Sequence, residues 1–245
     1  MSKIQIVAEI GVNWEGDIER AKDMICAAQK CGADVAKFQL YSVDTLFPDK
    51  KIISQNRNWY EEVKKTQLTK EQVTTLVRYC KVAEIEILFS VFDLERLAWL
   101  EELGVKRYKI ASRSINDVEL IQAIWQTGKE TLISIPYGEF SRINPILQPL
   151  ILGNRQFKFL YCIPEYPSPL DRLQLGQISW RTFTGFSDHS VGIDASIMAM
   201  ARGCKIIEKH FCLSRKPISP DIVCSITPEQ LRRLVRYARL FEEMM

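Results

Sequence analysis

The sequence predicts an α/β fold, a single (β/α)8 TIM barrel, on three observations. A helix-glycine-strand unit recurs in AAQKCGADVAKFQL, LEELGVKRYKIAS, IWQTGKETLISI and MARGCKIIEKHF. Glycine takes the left-handed position that closes a helix, and the apolar run after it reads as a strand buried on both faces, as in a parallel sheet. Eight strand candidates alternate with helical stretches, and 245 residues match the roughly 250 of one such barrel.

In chain order the strand candidates are 4–9, 35–40, 85–89, 107–111, 131–134, 157–162, 183–187 and 205–211. Helical periodicity fills the intervals, as in IERAKDMICAAQK, LERLAWLEELG, DVELIQAIWQTG and IDASIMAMARG. Right-handed crossovers wind such units into a closed barrel or an open doubly wound sheet. The first turn reads EIGVNWEGD and carries no GxGxxG fingerprint, which favours closure over a nucleotide-binding sheet. The longest connection, 41 to about 68, contains Pro48, Asn56 and Asn58, and a loop of that size is expected to be functional or mobile. Thr227 is expected to cap a last helix over 228–245, with Pro228 in its first position. The chain, 1–245, then reads as one domain.

Composition narrows the function classes. A net charge of +3 with scattered lysines supplies no field for nucleic acid or an anionic membrane. Seven cysteines without a CxxC spacing fit reduced thiols in a cytoplasmic protein better than a disulfide framework or a structural zinc site. MSKIQIVAEIG opens almost directly on a strand, without the basic and apolar regions of a secretion signal. No apolar run approaches the roughly 18 residues of a membrane span.

Active sites of such barrels lie at the carboxyl ends of the strands, so polar residues that interrupt apolar runs there are the site candidates. The first strand ends in Glu9 with Asn13 beyond; the second carries Lys37 and Gln39, the third Ser90, the fourth Lys109 and Ser112, the fifth Ser134. The seventh runs into Ser187, Asp188 and His189, and the eighth carries Glu208 and His210. Residues two apart share a strand face, which groups Lys37 with Gln39 and Glu208 with His210. A buried Lys37 or Lys109 requires an anion, either a structural partner in Glu9 or Glu208 or a bound substrate, and two lysines in one mouth favour the substrate. The Ser187-Asp188-His189 turn suits a phosphate, whereas Asp188 by itself is expected to cap the following helix. His189 and His210, the 2 histidines of the chain, fall at equivalent ends of neighbouring strands, where imidazoles suit a divalent cation; two ligands alone leave that open.

The segments AEIGVNWEGD, AKFQ, YKIAS, EYPSP, GFSDHSVGI and IEKHF, followed by Pro220 and Asp221, run in order from the first strand to the last helix. In them the chain resembles the sialic acid synthase family. The resemblance implies condensation of phosphoenolpyruvate with an N-acetylated hexosamine, such as N-acetylmannosamine or a related aldose, to a nine-carbon 2-keto sugar acid with release of phosphate. It implies a divalent metal on His189 and His210, Mn2+ in the first place with Mg2+ or Co2+ as alternatives, that activates the acceptor aldehyde. By the same resemblance Lys37, Lys109, Ser112, Ser134 and Ser187 hold phosphoenolpyruvate. Glu9 joins the two lysines as the catalytic set, moving protons around the water that attacks C2. Asn13, Gln39, Tyr166 and Asp221 shape the acceptor pocket.

The chain departs from the family pattern along the rim. Trp14 and Glu15 stand where the family has His-Asn, Val91 replaces a threonine, and Arg113-Ser114 replaces Gly-Glu, whose carboxylate is expected to contact the sugar. After the fifth strand the chain reads Ser134-Ile135-Pro136-Tyr137, and Ile163-Pro164 replaces polar residues before the EYP motif. Each lost hydrogen bond to a charged ligand group costs about 1.5 to 3 kcal/mol unless replaced. Arg113 and Tyr137 are the candidate replacements, for an altered sugar. The family usually continues into a small antifreeze-like domain, whereas the sequence here stops with the barrel. The acceptor pocket is therefore expected to be more open, or completed by another subunit of a homo-oligomer or a separate capping-domain protein. Two further readings compete with the synthase: a non-catalytic sugar-phosphate-binding or scaffold relative in a glycan pathway, and a metal-dependent aldolase or lyase.

Overall fold

The computed structural model describes residues 3–54, 56–136, 138, 143, 145, 147–152, 156–216 and 219–244. Its eight parallel strands are β1 (Gln5–Glu9), β2 (Val35–Leu40), β3 (Glu86–Val91), β4 (Tyr108–Ile110), β5 (Thr131–Pro136), β6 (Phe157–Cys162), β7 (Phe183–Asp188) and β8 (Ile206–His210). Each pairs with its chain neighbours and β8 returns to β1, which closes the predicted (β/α)8 barrel. The outer helices are α1 (Ile18–Lys30), α2 (Lys70–Val82), α3 (Leu94–Glu102), α4 (Val118–Gln126), α5 (Gln148–Leu152), α6 (Asp194–Ala201) and α7 (Pro228–Met244). Between β6 and β7 the described chain forms only a 3-10 turn, Leu170–Arg172.

Local chemistry sets the helix starts. Asp17, Thr69, Asp93 and Asp117 accept backbone N–H bonds as N-caps of α1 to α4, each stabilising its helix by about 1 kcal/mol. Thr227 caps α7 as expected: its Oγ1 accepts from the Gln230 N–H, while its own N–H donates to Gln230 Oε1. No helix among the described residues is long and apolar enough to cross a membrane. All seven cysteines are free.

The connection after β2 is more ordered than a loop of its length leads one to expect. Two short helices, Val43–Leu46 and Tyr60–Lys65, and a two-stranded ribbon pack around a small core of Val12, Tyr41, Val43, Trp59, Tyr60 and Val63. Tyr41, Trp59 and Tyr60 of the connection are buried in that core. It seats on the first turn: a Cβ at Gly16, where φ is +82°, would stand 2.5 Å from the Lys65 carbonyl oxygen. Trp14 from the same turn is fully buried in the main core.

The barrel interior is layered by the two-residue period of the strands. At the amino-terminal end Arg107 bridges Glu86 and Glu130, and Lys158 pairs with Glu130. Above them Val7, Val35, Leu88, Leu132, Leu160 and Ile206 form an apolar plug. The site rests on this plug, whose low polarizability strengthens every charge interaction above it. Gly185 of β7 sits in the same layer, and a Cβ there would come 2.8 Å from Leu160 Cγ and from both Cβ and the carbonyl oxygen of Ile206. Because one of those neighbours is backbone, Gly185→Ala is expected to destabilise the barrel by about 1 to 3 kcal/mol, read as a lower urea midpoint with an unchanged slope.

Candidate active site

The next layer up is charged and buried. Lys37 from β2 donates to Ser90 of β3 (3.1 Å) and pairs with Glu9 of β1 at 2.8 Å. Lys109 from β4 donates to Ser134 of β5 (2.7 Å). Glu208 of β8 lies between the lysines, 3.6 Å from Lys37 and 3.5 Å from Lys109, and accepts from Ser187 of β7 at 2.8 Å. Gln39 donates to the second oxygen of Glu9 (3.0 Å). The structural partners that the sequence left open for the lysines are thus present, and both carboxylates share in them.

The neutralisation is uneven. Lys37 has a close carboxylate, and Glu208 and Glu9 together outweigh the burial that disfavours its charge, so its pKa is raised. Lys109 has only the shared Glu208 at 3.5 Å, and burial, with Lys37 beside it, lowers its pKa. Burial pushes Glu9 upward. Glu208 is pushed up by burial as well, but Lys109 and Lys37 overcome this and hold it at about 2. Glu9 Oε2 is met only by the Lys37 ammonium, and Glu208 Oε2 has no aligned hydrogen-bond donor among the described residues. Lys109 is therefore the cation with the most to gain from a further anion.

Glu9, Lys37, Lys109, Ser134, Ser187, His189, Glu208 and His210 line one small chamber of about 50 Å³. A larger chamber of about 310 Å³ lies outside it, lined by Tyr41, Phe47, Arg113, Pro164 and Asp221 among others. Gln39, Phe92, Ala111, Ser112 and Tyr166 belong to both walls. Tyr166 forms the partition: its ring stacks on His189 with centroids 4.1 Å apart and meets His210 edge-on at 5.7 Å.

The histidine rings stand 5.6 Å apart. His189 Nδ1 is 2.8 Å from the Ile163 carbonyl oxygen, which fixes the hydrogen on Nδ1 and leaves a lone pair on Nε2, next to Ser187 at 3.4 Å. His210 Nδ1 has no hydrogen-bond partner; Asp221 Oδ2 lies 3.3 Å away but is not aligned for a bond. Burial lowers His189 to about 4, and burial followed by the neighbouring His189 holds His210 well below its usual value. Burial and the charge of Glu9 push Asp221 up to about 7. Neutral imidazoles, one held by a backbone carbonyl and one with an orphaned nitrogen, fit a divalent cation. Among the described residues no three His, Cys, Asp or Glu side chains are arranged to hold a metal by themselves, so substrate or water oxygens would complete the coordination.

Two expected site residues are placed differently. Asn13 is buried away from both chambers: its amide donates to the Phe211 carbonyl and Ser225, and its carbonyl accepts from Ser219. It ties the β1 turn to the segment after β8. Asp188 is not the helix cap that its position suggests. The residue before α6 is Ile193, without a side-chain cap, and Asp188 points outward between strand and helix. There it accepts from the Ser190 N–H and hydroxyl and from Ser196, and it pairs with the fully buried Lys209 at 3.1 Å. Lys209 was not singled out in the sequence, although its place between Glu208 and His210 on the opposite face implied a buried anion partner there.

The rim departures sort by depth. Val91 is buried in the core, Ser114 is buried, and Pro136 ends β5. Ile163 contributes its carbonyl to His189, and Pro164 lines the outer chamber. Tyr137 lies outside the described residues. Cys162 faces Lys109 beneath Ser112, and burial pushes its thiol up to about 12, which keeps it protonated.

A closed (β/α)8 barrel with two buried lysines, two carboxylates and two neutral histidines at its carboxyl-terminal mouth defines the class. The chain belongs to the NeuB family, whose model matches residues 24–245. It is 30% identical over 261 residues to the N,N'-diacetyllegionaminic acid synthase of Campylobacter jejuni, covering 100% of this chain and 78% of that one. It is 31% identical to the human N-acetylneuraminate-9-phosphate synthase, covering 98% of this chain and 70% of that one. The crystal structure of the N-acetylneuraminic acid synthetase of Leptospira borgpetersenii in complex with citrate superposes with a TM-score of 0.89 at 29% identity, covering 99% of this chain and 85% of that one.

Proposed function

We propose that the protein condenses phosphoenolpyruvate with an N-acetylated hexosamine or related aldose, forming a nonulosonic or related 2-keto sugar acid and releasing phosphate. The observation that carries this reading is the convergence of Lys37, Lys109 and their serines on one buried chamber that opens, past two neutral histidines, into a sugar-sized one. Its relatives are sugar acid synthases. In this reading Lys109, Lys37, Ser112, Ser134 and Ser187 bind the phosphate and carboxylate of phosphoenolpyruvate, where preorganised donors in a water-poor layer act most strongly. C3 of the enol attacks the aldehyde carbon and water adds to C2; one proton of that water ends on the former aldehyde oxygen as a hydroxyl, and the other leaves the C2 hydroxyl as the C2–O bond to phosphate breaks and the keto group forms. Glu9, held by Lys37 and Gln39, takes the proton of that water. His189 and His210 hold a divalent cation, most simply Mn2+, which when bound polarises the aldehyde oxygen. Gln39, Tyr166 and Asp221 line the acceptor side.

The test is phosphate release from phosphoenolpyruvate by the purified protein with Mn2+ across a panel of N-acetylated hexosamines. Binding of phosphoenolpyruvate without phosphate release from any acceptor would favour the non-catalytic relative, and pyruvate release from a keto sugar acid would favour an aldolase or lyase. His189→Ala and His210→Ala are each expected to weaken Mn2+ binding at least 10-fold by calorimetry; unchanged binding in both would remove the metal from this pair.

A further inference from the structure

Among the described residues Arg113 carries the only positive side chain in the outer chamber, and no carboxylate pairs with it. It sits in the 3-10 turn Ser112–Ser114 that follows β4. One Nη donates to the Leu46 carbonyl (3.1 Å) and the guanidinium lies over the Phe47 ring at 4.6 Å. Backbone and ring therefore hold it in place while most of its five donors stay uncommitted. The chamber is polarised. Among the described residues its one carboxylate, Asp221, stands against His210, whereas Arg113 forms the wall shared with a flanking cavity whose described lining contains none of the histidines or Asp221. In that flanking cavity Asp93 and Asp117 use their carboxylates to cap α3 and α4, and Asp93 also pairs with Arg96. Between the two charged ends the wall is largely apolar: Leu46, Phe47, Ile52, Phe92 and Pro164.

A fixed guanidinium without a carboxylate partner recognises planar or tetrahedral oxyanions by paired N–H donors, and it offers nothing to a hydroxyl that must donate. We propose that Arg113 determines acceptor specificity, selecting an aldose that carries an anionic group, a phosphate monoester or a carboxylate, at the end remote from its aldehyde. This rests on the synthase reading above, since the aldehyde end is placed by the histidines and the anionic end by Arg113.

The test separates binding from turnover. Unreactive alditols of N-acetylmannosamine with a free 6-hydroxyl, a 6-phosphate or a 6-carboxylate are titrated into the full chain by calorimetry, with inorganic phosphate as a fourth probe. Hydrogen bonds to a charged group correspond to about 10- to 100-fold in affinity. The phosphate or the carboxylate alditol is expected to bind at least 10-fold tighter than the neutral one, and the one that does names the anion. In Arg113→Gln that ratio is expected to fall to near one, with Arg113→Lys intermediate because a point charge cannot pair bidentately. Equal affinities in the wild type, a ratio unchanged in Arg113→Gln, or inorganic phosphate binding as tightly as the sugar phosphate would overturn the proposal. Where turnover is measured, the same preference is expected in kcat/KM. Absence of phosphate release with every acceptor would count against the synthase reading, while the alditol ratios would still decide the role of Arg113.

Discussion

Lys109→Met is expected to lower kcat/KM for phosphoenolpyruvate by about 10²- to 10³-fold. Two losses combine. The first is a charge-assisted hydrogen bond to the ligand, about 10- to 100-fold. The second is electrostatic: Glu208, held at about 2 chiefly by Lys109 and Lys37, keeps its charge with one lysine fewer and repels an incoming anion. Methionine preserves the aliphatic stem against the apolar plug, so the fold is retained and the loss falls on binding and chemistry. Ser134→Ala removes a neutral hydroxyl, with it the 2.7 Å tether of Lys109 and one donor to the ligand, and is expected to cost less than the loss of the lysine, about 10-fold. The measurement is steady-state phosphate release beside a urea unfolding curve for each variant. A Lys109→Met protein with wild-type kcat/KM and normal stability would take this lysine out of the anion site.

Lys209→Met is expected to destabilise the protein by about 3 to 5 kcal/mol, the cost of leaving a buried charge without its partner. Asp188 and Lys209 have no exposed side-chain surface and their ion pair is 3.1 Å long. The pair also has a positional role. Asp188 lies between Ser187 and His189, and Lys209 between Glu208 and His210, so the pair locks the registers of β7 and β8 behind four residues of the site. Metal affinity is accordingly expected to fall about 10- to 100-fold, as when the groups that orient a ligating histidine are removed. The double variant Asp188→Asn with Lys209→Met is expected to recover part of the stability, giving a coupling energy that two independent losses would not show. A Lys209→Met protein within about 1 kcal/mol of wild type in urea would mean that Asp188 is held by its serines alone.

Much of the barrel was legible because its signals are local. Helix-closing glycines, N-cap residues and two-residue strand alternation are each read within a few positions, and they placed the eight strands and the Thr227 N-cap of α7. The same period showed that Lys37 and Gln39, or Glu208 and His210, share a face. The connection 41–68 lines the outer chamber, as a loop expected to be functional would, but its order was not legible, because its aromatic residues close a core with Val12 of another segment, a contact that no local window contains. Asn13 stands one turn beyond a strand that carries a site residue, yet its three hydrogen bonds reach Phe211, Ser219 and Ser225 near the other end of the chain.

The sequence by itself determined the fold class, the barrel end that carries the charges, and the pair of histidines beside them. Only the tertiary structure decided how those charges are shared: Glu208 serves two lysines, Lys109 is the less neutralised one, Asp188 turns outward to Lys209, and Arg113 rests on Phe47 without a carboxylate among the described residues. The physical reason is closure. Backbone period fixes which face of its own strand a side chain takes, but the side chain it meets across the barrel depends on the stagger of all eight strands, which is settled only when β8 pairs with β1.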